Sequence, residues 1–158
     1  MDRTTLVRNL AVLMVGALSV QFVLGIYVNL FVSIPEVSSG TPGSMMSGAA
    51  GAMMGPGVNP AFIVHMLLGM LLVLFGMALV VIVTRSELGA VAVTFAGVGL
   101  GSLFVAAYGG MSFVMSGQND ALSFTMAIGF IFAMAAYVAV LTTSTLGQRA
   151  PWRRLRTS

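Results

Sequence analysis

Asn59-Pro60-Ala61-Phe62-Ile63-Val64-His65-Met66-Leu67-Leu68-Gly69-Met70 opens an apolar run that continues without a charged residue to Thr84. Read as a helix, the run has Asn59 placed to cap the free N–H groups and Pro60 in the first turn, where a missing N–H costs nothing. From 61 to 84 it is long enough to cross the ~30 Å hydrocarbon core of a bilayer. It also carries the only histidine in 158 residues, His65, about one turn inside the apolar span. Gly69 lies one further turn along on the same face. The His-x-x-x-Gly pair leaves a bare patch beside the imidazole, open to a flat ligand or another backbone.

The same pattern recurs along the chain. Apolar residues make up 58% and charged residues 7%, a balance that a water-soluble domain of this length cannot carry on its surface. Spans are expected at about 10–34, 61–84, 88–115 and 121–143, giving one all-α membrane domain over 1–158, a four-helix antiparallel bundle. The first span follows Arg3 and Arg8, stops before Pro35, and is too long for a signal-peptide core, so it reads as a retained helix. Gln21 lies near its middle and is expected to face a neighbouring helix or a ligand. The third span is rich in small residues, and its Gly97-x-x-x-Gly101 pair predicts close packing against another helix, within the chain or in a partner.

Charge sets the orientation. The seven basic residues are all arginine, and Arg3, Arg8, Arg85, Arg149, Arg153, Arg154 and Arg156 fall on one side of the four-span arrangement. The positive-inside rule places that side in the cytoplasm, with both termini and the arginine-rich tail 146–158, in a multi-pass protein of the cell membrane. The charge therefore reports topology and contact with anionic lipid, and nucleic acid is not expected as a partner. The absence of lysine excludes a retinal Schiff base, and the absence of cysteine excludes dithiol chemistry. No Asp, Glu or Arg lies within a span, which argues against a proton-coupled transporter.

What remains for chemistry is histidine and methionine. His65, Met66 and Met126 are expected at similar depth near the outer surface, with Met111 and Met115 ending the third span near that plane and Asn29 approaching from the first. Imidazole with thioethers can ligate haem iron axially or hold Cu(I). The outer loop 35–60 offers a second soft-ligand set in Met45, Met46, Met53 and Met54, equally readable as methionines dipping into the headgroup region. A histidine at the membrane interface hydrogen-bonded to a loop carbonyl, with methionines filling core gaps, is the plain alternative.

Gln21-Phe22-Val23-Leu24-Gly25-Ile26-Tyr27-Val28-Asn29-Leu30, then His65-Met66-Leu67-Leu68-Gly69-Met70-Leu71-Leu72, resembles the first two helices of one half of haem A synthase. Gly109-Gly110 and Met126-Ala127 are similar to the rest of such a half in spacing. The resemblance implies a four-helix unit with an outer haem site and an axial histidine at the start of a helix. It also implies a second histidine on the fourth helix, where this chain has Ser123, Thr125 or Met126. The expected function is a small membrane protein binding haem b or a related haem, or a metal, through His65, Gly69 and Met126, as an accessory to a respiratory-chain complex. The alternatives are a cofactor-free assembly subunit of a larger membrane complex or a homodimer, and a copper-handling protein using His65, Met66 and the loop methionines. Enzymatic activity is not expected.

Overall fold

The computed structural model describes residues 2–33, 57–115 and 118–148, and within them the chain is helical with no strand. The helices are α1 (Arg3–Phe31), α2 (Pro60–Thr84), α3 (Ala90–Met115) and α4 (Asp120–Gln148). Each is long and apolar enough to cross a membrane. The shortest has 25 residues, about 37 Å at 1.5 Å per residue.

Local chemistry sets the helix ends. Asn59 Oδ1 accepts from the Ala61 N–H at 2.9 Å, with Pro60 in the first turn, as expected from sequence. Asn119 Oδ1 caps α4 in the same way, accepting from the Ala121 N–H at 2.9 Å. The helix bounds differ from the apolar spans where polar residues can join a helix. α1 begins at Arg3 and ends at Phe31, where Val32 turns extended. α3 begins at Ala90 and not Leu88, because Gly89 takes a φ of +83° that breaks the preceding turn. α4 runs on past Thr143 because the hydroxyls of Thr142, Thr143, Ser144 and Thr145 each donate to a carbonyl three residues back and are satisfied without leaving the helix.

The helices form a ring in which α1 packs on α2 and α4, and α3 packs on α2 and α4. Phe22 of α1 and Phe130 of α4 stack with ring centroids 5.5 Å apart, closing the ring. Arg3 Nη1 donates to the Arg85 carbonyl at 2.8 Å, so the start of α1 and the α2–α3 turn share one end of the bundle. The two asparagine caps lie at the other. The outward surface is largely apolar, with Val23, Leu30, Phe31, Tyr108 and Phe124 each about two-thirds exposed.

Buried apolar residues form two clusters. The larger runs from the arginine end to mid-bundle and includes Leu18, Leu72, Leu79, Leu103 and Tyr137. The smaller plugs the capped end with Val28, Phe62, Phe113 and Val114. Between them the core is interrupted by a layer of glycines and two polar side chains.

Candidate functional site

The interruption is centred on His65 and Gln21. Both are placed by helix periodicity. His65 follows Pro60 by about 7.5 Å of helix rise, and Gln21 stands on the facing turn of the antiparallel α1. Gln21 is 8% exposed, and its Nε2 donates to the main-chain carbonyl of His65 at 3.0 Å. The expectation that Gln21 turns inward to a neighbouring helix is met, and its partner is the turn that carries the histidine.

Two glycines make the room. A Cβ on Gly25 would stand 3.0 Å from His65 Cε1 and 3.6 Å from Nδ1, so the imidazole brings its Cε1 edge against bare α1 backbone. A Cβ on Gly69 would stand 3.2 Å from Gln21 Nε2. The patch expected at Gly69 is covered by the Gln21 carboxamide, and the glycine against the imidazole is Gly25. Asn29, expected to approach the histidine, is exposed; the α1 residue against the ring is Gly25, one turn earlier.

Two polar atoms in this seam are left over. His65 Nδ1 and Gln21 Oε1 are both buried with no hydrogen-bond partner among the described residues. Each such atom costs about 1–3 kcal/mol if it stays unpaired. Just inward, toward the arginine end, the seam opens into an apolar cleft of about 140 Å³ between α1 and α2, walled by Leu13, Met14, Leu68, Leu72 and Phe75 among others.

Met126 sits in the opposite seam. A Cβ on Gly109 would approach Met126 N to 2.9 Å, and one on Gly110 would approach its Sδ to 3.3 Å, so Met126 fills the α3–α4 contact while His65 fills the α1–α2 contact. The caps explain the offset. Aligned on Asn59 and Asn119, Met66 matches Met126, Gly69 matches Gly129, and the position of His65 is taken by Thr125, which is half-buried and bonded to its own helix. Met66 packs against the capped-end cluster with Phe62. Met45, Met46, Met53 and Met54 lie outside the described residues. Among those described, no group of three or more His, Cys, Asp or Glu comes together.

Gly97 and Gly101 are exposed with nothing within 4 Å, so among the described residues they pack against no helix, and of the two expected settings the partner is the one that stays open. The close approach of α3 to α4 is made instead by Gly109 and Gly129, where an added Cβ would reach main-chain atoms at 2.9 and 2.8 Å. One buried residue escaped the sequence reading altogether. Tyr137 is fully buried, its ring lies in a slot made by Gly99 and Gly76, and its Oη has no partner among the described residues. The signal was dispersed, since the two glycines belong to different helices from the tyrosine. Against family models, curated proteins and solved structures, the chain matches none.

Proposed function

We propose that this chain is a four-span protein of the cell membrane with both termini cytoplasmic, and that His65 is the protein ligand of a haem b or related haem held in the outer leaflet. The observation that carries the reading is the seam itself. The His65 imidazole stands against Gly25, and the Gln21 carboxamide, with its oxygen unpaired, stands against Gly69, at a level where the hydrophobic core is broken. Hydrocarbon surroundings make such a polar layer costly, and intramembrane polar clusters mark sites of function.

The donor set favours haem iron over a bare cation, because the porphyrin brings four nitrogens of its own and would need only His65 from the protein, whereas one nitrogen and one amide oxygen leave a bare cation short of ligands. His65 would supply the axial nitrogen, and Gly25 and Gly69 the close backbone approach. Haem bound there supplies a one-electron couple, which suits an accessory to a respiratory complex. The resemblance to half of haem A synthase points the same way. A further ligand would have to come from Met126, which fills the α3–α4 seam, or from His65 of a second copy. Copper remains a proposal through His65 and Met66 with the loop methionines.

Purified protein titrated with iron protoporphyrin IX is expected to show a Soret band, and His65→Ala to lose it. Met126→Leu is expected to change the spin state if the thioether is the sixth ligand. Haem titrating at one per two chains, with Met126→Leu silent, points to the shared His65 arrangement. A reporter fused after Ser158 is expected to be active only in its cytoplasmic form.

A second reading has its own observation. The Gln21 bond to the His65 carbonyl is a complete interhelical contact in itself, of the kind that averages about 0.6 kcal/mol in membrane helices. In that reading the chain is a cofactor-free assembly subunit, and the exposed Gly97–Gly101 face of α3 meets its partner. Protein that stays colourless with haem supplied, and whose function in the host survives His65→Ala, selects it.

A further inference from the structure

We infer that Gln21 is the positioning residue for His65: its Nε2 holds the His65 main chain while its Oε1 takes the Nδ1 proton, leaving Nε2 of the imidazole as the nitrogen presented to a ligand. This deepens the haem-site reading and rests on it only for the identity of the ligand.

A main-chain carbonyl only accepts, so the carboxamide atom 3.0 Å from the His65 oxygen must be the NH₂ group, and the amide cannot be flipped. Oε1 is then the atom left over, and it too only accepts. It is buried and unpaired in a side chain more than nine-tenths buried. The donors available to it are few. Ser19, Tyr27 and Asn29, the other polar side chains on this part of α1, are exposed. α2 has no other polar side chain before Thr84. On the two helices of this seam that leaves the imidazole, whose Nδ1 is the second buried unpaired atom there and which lies against Gly25, one turn from Gln21.

The two atoms are complementary only in one tautomer. With the proton on Nδ1, the N–H can donate to Oε1 and both atoms are satisfied. With the proton on Nε2, Nδ1 is a second acceptor facing an acceptor, and both stay unpaired. Histidines that ligate metals use this arrangement, in which the other ring N–H donates to a carbonyl or carboxylate that fixes the ring and raises its basicity. Here the carbonyl comes from a side chain that is itself anchored to the backbone of the residue it orients.

Because His65 is the only histidine in the chain, labelling histidine with ¹⁵N gives a single imidazole to read. In the haem-free protein in lipid at neutral pH, the expected spectrum has a protonated, pyrrole-type Nδ1 and an unprotonated, pyridine-type Nε2. Gln21→Met, which keeps the volume and removes the acceptor, is expected to shift the signal toward the Nε2–H form. An Nε2–H imidazole in the parent protein overturns the inference without any variant being needed. So does a Gln21→Met protein that is folded by circular dichroism and retains the Nδ1–H form. Adding iron protoporphyrin IX separates this from the haem reading. An Nδ1–H tautomer in protein that binds no haem keeps Gln21 as the positioning residue and removes the haem. Where haem binds, Gln21→Met is expected to raise its reduction potential, because an imidazole without a hydrogen-bonded Nδ1–H is a poorer donor to iron; an unchanged potential overturns the inference.

Discussion

The two hairpins of this bundle begin their second helices alike and end up with different interiors. α2 and α4 share an asparagine cap, a methionine and a glycine at matching positions. In the α3–α4 hairpin, Gly109 and Gly129 bring backbone against backbone, and the two helices share the most extensive contact in the molecule. In the α1–α2 hairpin, the matching glycine, Gly69, and its partner Gly25 face side chains instead, Gln21 and His65. Glycine opens the same space in both. One hairpin fills it with main chain and becomes a rigid strut; the other fills it with an imidazole and an amide whose polar atoms are not all satisfied. The comparison teaches that a small-residue pattern specifies a gap, and that the facing residue decides whether the gap is structure or site.

The largest expected effect lies on the strut. Gly129→Ala and Gly109→Ala force a methyl into main-chain atoms at 2.8 and 2.9 Å, and each should cost about 1–3 kcal/mol in reversible unfolding from detergent. Gly69→Ala meets only the end of a flexible side chain at 3.2 Å and should cost less than either. Equal losses at Gly69 and Gly129 break the distinction between the hairpins.

A smaller effect is expected at the polar side chains. Gln21→Leu removes one interhelical hydrogen bond and should cost about 0.6 kcal/mol, within an upper bound of about 1.7. Tyr137→Phe removes a buried hydroxyl without a described partner and should stabilise the bundle by about 1 kcal/mol. A destabilised Tyr137→Phe protein would mean that the hydroxyl has an acceptor in the membrane.

The smallest effect is expected at Gly97 and Gly101. Leucine at both positions enters open space and should leave stability within about 0.5 kcal/mol of the parent. A loss well above that, or a smaller particle in detergent, would show that this face is covered by another chain.

The helical architecture was legible in sequence because cap, proline and uninterrupted apolar length act locally. Asn59 and Pro60 start α2 as their chemistry dictates, and the short Arg85-Ser86-Glu87 link leaves α2 and α3 antiparallel neighbours. The site was legible in part. Gln21 and His65 stand out as polar residues in apolar runs, but nothing local says that they face each other across one seam. The glycine contacts were the least legible. Gly97-x-x-x-Gly101 has the spacing of a packing motif and points outward, whereas Gly109 and Gly129 lie on different helices and pair only once the helices are rotated into place. The matching caps of α2 and α4 were the signal that could have shown it, since they set Gly129 in register with Gly69 and Thr125, not Met126, in register with His65.

The measurement that bears most directly on the division between strut and site is equilibrium titration of the full chain in lipid with iron protoporphyrin IX, run side by side on the parent protein, His65→Ala and Thr125→Ala. The account predicts saturable binding with a low-spin visible spectrum in the parent and in Thr125→Ala, and at least a hundredfold weaker binding with loss of that spectrum in His65→Ala. Binding that is absent from all three, or undiminished in a folded His65→Ala protein, would contradict it.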